Sequence, residues 1–452
     1  MTSTTASGEL DRTIGFTGAL TIGTGTMIGA GIFVFPGLAG GRAGPAATLS
    51  FLIGALIALL VALPASELAT AMPKSGGGYY FISRGLGTLP GAIVGIGLTF
   101  GLIFASAFYL VGFGQYVAGI LLEAGIVDRV TVTVGPVPLG IGVGVVGGVG
   151  LTAMSVLGTE NAETLQNLVV GLLLAILVGV LSISLIDLLG VGGQADLGQF
   201  APRGYQTVLP TAALVFTSYL GFAQIATIGE DIVAPDRTLP RAMIGSVFIV
   251  GILYVVTLFV TGHTFAPETL RRFGETATVE VARAYLGLPG AIIILFAGLL
   301  ATISSANASI LSASRAMYAI SADQLAPEAA ATVNRRYGTP HFALSFAGGL
   351  TVLLVASGRT AVLAEVASFL HLVMYGLLCV TLLVLRRRNP PWYDPAFRCP
   401  GYPAVPVVGA LASFALLAFM QPLSQLLGVF LSIGAVAWYG FYARGTNLRG
   451  KR

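Results

Sequence analysis

An apolar run long enough to cross a bilayer leaves a chain few alternatives, and here such runs follow one another almost without pause from residue 14 to residue 443. A crossing helix takes about 20 apolar residues, because each adds about 1.5 Å to a span of about 30 Å. The runs fall at 14–38, 45–71, 89–122, 137–157, 163–187, 208–230, 242–265, 288–318, 341–357, 361–385, 404–421 and 424–443. Twelve runs predict an all-α integral membrane protein whose partner is the lipid bilayer. Composition agrees, since only 9% of the 452 residues are charged, where a soluble domain carries roughly 25%.

An even number of crossings puts both ends on one side, and the basic residues say which. Of the 23 Lys and Arg, sixteen fall on the side of the ends, including Arg237, Arg241, Arg386, Arg387 and Arg388. The other seven are Arg42, Arg129, Arg203, Arg271, Arg272, Arg283 and Arg359. Positive charge marks the cytoplasmic side. The expectation is a multi-pass protein of the cell membrane with tails at 1–13 and 444–452 in the cytoplasm. The N-terminal residues lack the basic start and cleavage site of a secretory signal. Because the basic residues are scattered among short loops, the pI near 9.1 does not indicate a nucleic-acid partner. Two cysteines, Cys379 and Cys399, are too few for a disulfide framework.

Function is best sought where the chain interrupts its own helices, since unpaired backbone groups at membrane depth persist only beside protein or a cavity. The first run carries Gly23, Gly25, Gly29 and Gly31, with Pro36 just beyond. Gly25 and Gly29 suit close helix packing, but Gly-Ala-Gly at 29–31 costs about 1 kcal/mol of helix propensity at each glycine and predicts an unwound hinge. The sixth run offers a counterpart in Phe216-Thr217-Ser218-Tyr219-Leu220-Gly221-Phe222. Interrupted helices at matching places in two halves point to a transporter with its site at the midplane. Half-helix N-termini suit a carboxylate and freed carbonyls suit an ammonium or a metal cation, and an amino acid supplies both charges.

These residues resemble a known family. Gly25-Thr-Met-Ile-Gly-Ala-Gly-Ile-Phe-Val-Phe-Pro-Gly37 resembles the first-helix signature of the amino acid, polyamine and organocation permeases. Further resemblances follow in order: Glu67-Leu68-Ala69 with Pro73-Lys74-Ser75-Gly76-Gly77-Gly78-Tyr79, Gly229-Glu230-Asp231 with Pro235-Asp236-Arg237, Ser312 to Ala319, and Phe397 to Pro403. The resemblance implies a five-plus-five inverted repeat like that of the bacterial sodium-coupled leucine transporter, with repeats at 14–187 and 208–386, helices 1 and 6 broken, and helices 11 and 12 at 404–443 outside the core. It implies alternating-access transport of amino acids, with no catalytic residue and no cofactor.

Carried over position by position, the resemblance places the substrate carboxylate at N–H groups around Gly29, Ala30 and Gly31. The ammonium falls to carbonyls near Met27, Phe216, Thr217 and Leu220, beside Gly221. Ser106, Phe108 and Asn307 are pocket neighbours or ordinary packing. No acidic residue lies at mid-depth on segments 1, 3, 6 or 8, so neutral substrates are expected over cationic ones. For the coupling ion three readings stand. Ala301-Thr302-Ile303-Ser304-Ser305 resembles a sodium-binding run, with Gly25 and Ile28 carbonyls across from it. His371, within segment 10, could relay protons. Exchange without an ion is the third. The lysine on helix 5 that replaces sodium in some relatives is missing, for no lysine lies between Lys74 and Lys451. Glu67, Glu230 and Asp231, with Arg237 and Arg241 nearby, are expected to form a cytoplasmic gating network or simply to cap helix ends. An enzyme would need convergent groups, which the dispersed His263, His341 and His371 do not supply.

Overall fold

The computed structural model describes residues 12, 14–74, 76–127, 133–134, 137–157, 162–191, 199–334 and 339–446. Ser75, Arg129, Arg335 and Arg336 and most of both tails lie outside them. The described chain is nearly all helix: α1 (Phe16–Ile28), α2 (Gly31–Ala43), α3 (Ala47–Ala71), α4 (Gly77–Leu86), α5 (Thr88–Glu123), α6 (Leu139–Leu157), α7 (Ala162–Ile186), α8 (Val208–Val215), α9 (Phe222–Thr227), α10 (Pro235–Thr264), α11 (Pro267–Phe273), α12 (Ala277–Ala322), α13 (His341–Val355), α14 (Thr360–Arg388), α15 (Ala404–Leu417) and α16 (Pro422–Trp438). A two-residue antiparallel pairing, Thr133–Val134 with Val137–Pro138, joins α5 to α6. Among the described residues, nine stretches are long and apolar enough to cross a membrane, and His341–Val355 and Ala404–Leu417 are shorter apolar helices.

Large apolar side chains stand on the surface. Phe441, Val146, Phe430 and Leu353 are 95%, 72%, 69% and 68% exposed, and exposed apolar patches of this kind mark contact with a protein or a membrane. The ends of the described chain share one face. Ile14 pairs with the strand-like turn at Asp231 and Val233, at N···O distances of 2.9 Å both ways. Trp438 Nε1 donates to the Leu325 carbonyl at 2.9 Å, and Tyr439 and Thr88 share a hydroxyl hydrogen bond. We call this the terminal face. The opposite face carries the end of α2, all of α11 and the start of α14.

Both expected interruptions exist, and they differ in kind. The first helix ends at Ile28, Gly29 takes φ 15°, ψ −140°, and α2 restarts at Gly31. The sixth tightens instead of unwinding: α8 passes into a 3-10 turn at Phe216–Tyr219, and Leu220 and Gly221 keep right-handed angles before α9 begins. The first run was expected to end near residue 38, yet α2 runs on to Ala43 with Pro36 inside it. A proline in the first two turns of a buried helix costs one backbone bond that neighbours can replace. The eighth helix begins after a kink at Gly287, whose φ of 66° only glycine adopts easily.

Candidate functional site

The two interruptions touch. A Cβ on Gly221 would stand 2.7 Å from Met27 N and 2.9 Å from Thr26 Cβ, and one on Gly31 would stand 2.8 Å from Ser218 Oγ and overlap Tyr254 Oη. Such approach is available only to glycine. Interrupting a helix frees backbone groups that must be satisfied, and here tyrosines take the carbonyls. Tyr254 Oη donates to Met27 O at 3.0 Å, and Tyr375 Oη donates to Leu220 O at 3.1 Å. The ammonium ligands expected at Met27 and Leu220 thus already accept hydroxyls from α10 and α14. On the donor side, Ala30 N–H donates to Ser305 Oγ at 3.2 Å, and Gly29 N–H to Gly25 O at 3.1 Å. Gly31 and Ile32, the first two residues of α2, are buried, and they stand in the first turn of the helix, where N–H groups have no partner within the helix itself. The Thr217 hydroxyl is buried without a partner among the described residues.

A small cavity lies on the terminal side of the crossing. Gly25, Thr26, Gly221 and Gln224 form one wall, Ser304, Ser305, Ala308 and Ser309 of α12 another, and Leu102, Ala105 and Tyr109 of α5 a third. Its volume is about 20 Å³, room for about one water, so an amino acid enters only if these helices part. Toward the opposite face the route is plugged by rings. Phe35 stacks on Phe108 at 4.7 Å and Phe51 on Tyr254 at 4.8 Å, with Phe216 and Tyr219 beside them, all fully buried.

The family model described as Amino acid permease matches residues 18–441, nearly the whole chain. The chain belongs to this family. It is a multi-pass membrane protein of a transporter family, not an enzyme family. It is similar to a branched-chain amino acid permease of Bacillus subtilis (strain 168), 28% identical over 90% of this chain and 88% of the relative. A serine/threonine exchanger of the same organism is 25% identical over 91% of each chain. A methylthioribose transporter from that organism is 26% identical over 89% of this permease and 87% of the relative.

Several residues expected at the pocket do not line this cavity. Asn307 turns from the cavity toward α6, where its Oδ1 accepts from Ser155 Oγ at 3.2 Å. Ser106 Oγ donates back to Leu102 O at 2.8 Å, and Phe108 belongs to the aromatic plug. Helical spacing explains this, since Leu102, Ala105 and Tyr109 share the face of α5 that meets the cavity. Among the cation candidates Ser304, Ser305 and Gly25 line the cavity, whereas Ile28 and Ala301 are buried behind it. Tyr254, Tyr375 and Gln224 escaped sequence reading. A buried tyrosine on an apolar helix needs a partner for its hydroxyl, and that was the available signal.

None of the ionisable candidates lines the cavity. Glu67 is fully buried, but its partners are not Arg237 and Arg241. Its Oε1 accepts from Arg386 Nε at 2.7 Å and Tyr393 Oη at 2.8 Å, and its Oε2 from Arg386 Nη2 at 2.5 Å and Cys399 N–H at 2.6 Å. Burial, and then the charge of Glu67, push the Cys399 thiol up to about 11. A second terminal-face cluster escaped sequence reading: Asp323 accepts from Tyr79 Oη at 2.7 Å and from Arg84 at 3.0 and 3.2 Å. Glu230 and Asp231 form a 3-10 turn, where the Asp231 backbone pairs with Ile14. Arg237 and Arg241 form no ion pair with them among the described residues. His371 donates from Nδ1 to Ala367 O at 2.8 Å and packs against Gly101 of α5.

Proposed function

We propose that this permease carries neutral amino acids by alternating access around the paired interruptions. The observation that carries the reading is the buried start of α2 at Gly31 and Ile32, where Gly31 meets Ser218 of the turn in the sixth segment. The positive end of a helix supplies a carboxylate with both charge and donors. Thr217 precedes the Ser218 that meets Gly31, and its buried hydroxyl, without a partner among the described residues, can accept from the ammonium. No acidic residue lines the cavity, which disfavours a cationic side chain. The relatives named for branched-chain amino acids and for serine and threonine also concern uncharged side chains.

In this reading the chain makes twelve crossings with both ends in the cytoplasm, and residues 14–187 and 208–386 are inverted repeats. The terminal face is then cytoplasmic, and the described state is closed outward with a narrow space inward. Hydroxyl and carbonyl oxygens of Ser304, Ser305 and Gly25 suit a hard cation such as sodium. Ser305 Oγ keeps a lone pair free beyond the one that accepts the Ala30 N–H. Exchange without an ion remains the second reading, favoured by the serine/threonine exchanger among the relatives. The test is uptake of labelled amino acids into proteoliposomes, with sodium and proton gradients imposed separately. Saturable uptake of neutral amino acids, uncontested by their decarboxylated analogues, is expected. Transport of cationic amino acids in preference, or no amino acid transport, would overturn the reading.

A further inference from the structure

A second cavity, of about 310 Å³, lies at the opposite face. Its walls include Gly37, Gly41 and Arg42 of α2, Leu214 of α8, Arg271 of α11, and Arg203 from the segment before α8. Three arginines line it and no carboxylate does. Two acids pair with these arginines, and Glu275, beside the Gly274 that abuts Gly37, accepts from Thr360 Oγ1 at 2.7 Å. Glu365, fully buried, accepts from Arg42 Nη1 at 3.1 Å and from the Gln421 N–H at 2.9 Å, one bond on each oxygen. Glu268 meets Arg203 Nη2 at 2.6 Å, but 68% of its side chain is in solvent, where ion pairs hold weakly. Arg271 has no ion pair among the described residues.

The cavity's place in the fold gives this charge a direction. Gly37 stands six residues from Gly31, about 9 Å along α2, and Leu214 stands two residues before the 3-10 turn at Phe216. The cavity therefore rests on the outer parts of the same two half-helices whose inner ends form the crossing, with the aromatic plug between.

We propose that this vestibule is a waiting site for the α-carboxylate of an incoming amino acid, held by Arg271 and Arg203 with Arg42 beside them. The proposal rests on the reading of the chain as an amino acid carrier. Guanidinium groups bind carboxylates through paired charged hydrogen bonds, and a basic concavity raises the local concentration of anionic groups. With no free carboxylate in the wall to draw the ammonium, the zwitterion arrives carboxylate first. The same carboxylate is then passed to the N–H groups of Gly31 and Ile32.

Arg271→Gln and Arg203→Gln/Arg271→Gln test this in membrane vesicles of both orientations, by zero-trans kinetics at low and high salt. A waiting site leaves the overall equilibrium untouched, so Vmax/KM must fall by one factor in both directions. With substrate at the opposite face the fall appears as a KM raised about three- to tenfold at about 0.01 M salt. With substrate at the terminal face it appears as slower release, a lower Vmax at unchanged KM. At about 1 M salt, where screening acts within about 3 Å, the differences shrink below about twofold, and Arg271→Lys retains most of the wild-type behaviour. An equal rise of KM from both faces, a salt-independent loss, or an unchanged double variant would each overturn the proposal. Wild-type vesicles that move no amino acid would overturn the transport reading and this proposal with it, a failure that the wild-type control separates from the others.

Discussion

Gly31 has no room for a side chain, because Tyr254 Oη and Ser218 Oγ already occupy the space that a Cβ would need. Gly31→Ala must therefore push the Tyr254 hydroxyl off the Met27 carbonyl, leaving a buried acceptor unpaired at a cost of about 1–3 kcal/mol. Uptake should fall at least about tenfold, with a matching loss of thermal stability in detergent. Tyr254→Phe removes the oxygen that the new methyl strikes, so Gly31→Ala/Tyr254→Phe should lose less than the two single losses added together. Strict additivity would show that the close approach is unimportant. Gly29 and Gly31 were legible in the sequence because two glycines in three residues serve a helix poorly. Asn307 was not, since its choice between the cavity and Ser155 of α6 depends on the rotation of α12, which no residue near it declares.

At the scale of elements, the terminal end of α3 is fastened to α14 and to the segment after it through one carboxylate. Glu67 accepts four hydrogen bonds, two from Arg386, one from Tyr393 and one from the Cys399 N–H. An acid at a helix end is ordinarily solvated, and the sequence alone grouped Glu67 with Glu230, Asp231, Arg237 and Arg241 because all of them fall near helix ends on one side of the membrane. Its true partners are more than 300 residues away, a pairing that only the packing of α3 against α14 creates. Glu67→Gln should destabilise the fold by about 3 kcal/mol, the low end for breaking a buried pair, since Arg386 keeps 21% of its side chain in solvent. Cys399 reports the same event. With its thiol held near 11, about a thousandth is thiolate at pH 8, and maleimide labelling should be slow. Labelling should rise in Glu67→Gln, which removes a negative neighbour and loosens the segment. Equal rates in both proteins would mean that the carboxylate does not fasten it.

For the whole molecule, coupling is the property that no single element holds. Crossings were readable because membrane depth demands long apolar runs, whereas the ion depends on how α1 and α12 face each other across the break. Ser305 stands at that meeting, its Oγ accepting the Ala30 N–H at 3.2 Å beside Gly25 and Ser304 in the cavity wall. One oxygen thus touches both the helix break proposed for the substrate and the oxygens proposed for sodium. Binding free energies at two such places are reciprocal: a coupling of about 1–3 kcal/mol changes each affinity about 5- to 150-fold. Ser305→Ala should then flatten the dependence of substrate affinity on sodium more than it lowers affinity at saturating sodium, and Ser304→Ala should do the same without disturbing the Ala30 N–H. A serine that merely packs would lower affinity equally at every sodium concentration. His371→Gln supplies the opposing measurement. Its ring faces Gly101 and its proton is committed to the Ala367 carbonyl, so His371→Gln should respond to imposed sodium and pH gradients as the wild type does. If wild-type uptake ignores sodium, follows a proton gradient and loses that response in His371→Gln, sodium coupling is wrong and the histidine is the relay. If uptake ignores both gradients and requires amino acid on the far side of the membrane, the protein is an exchanger, and Ser305 acts only by holding the start of α2 in place.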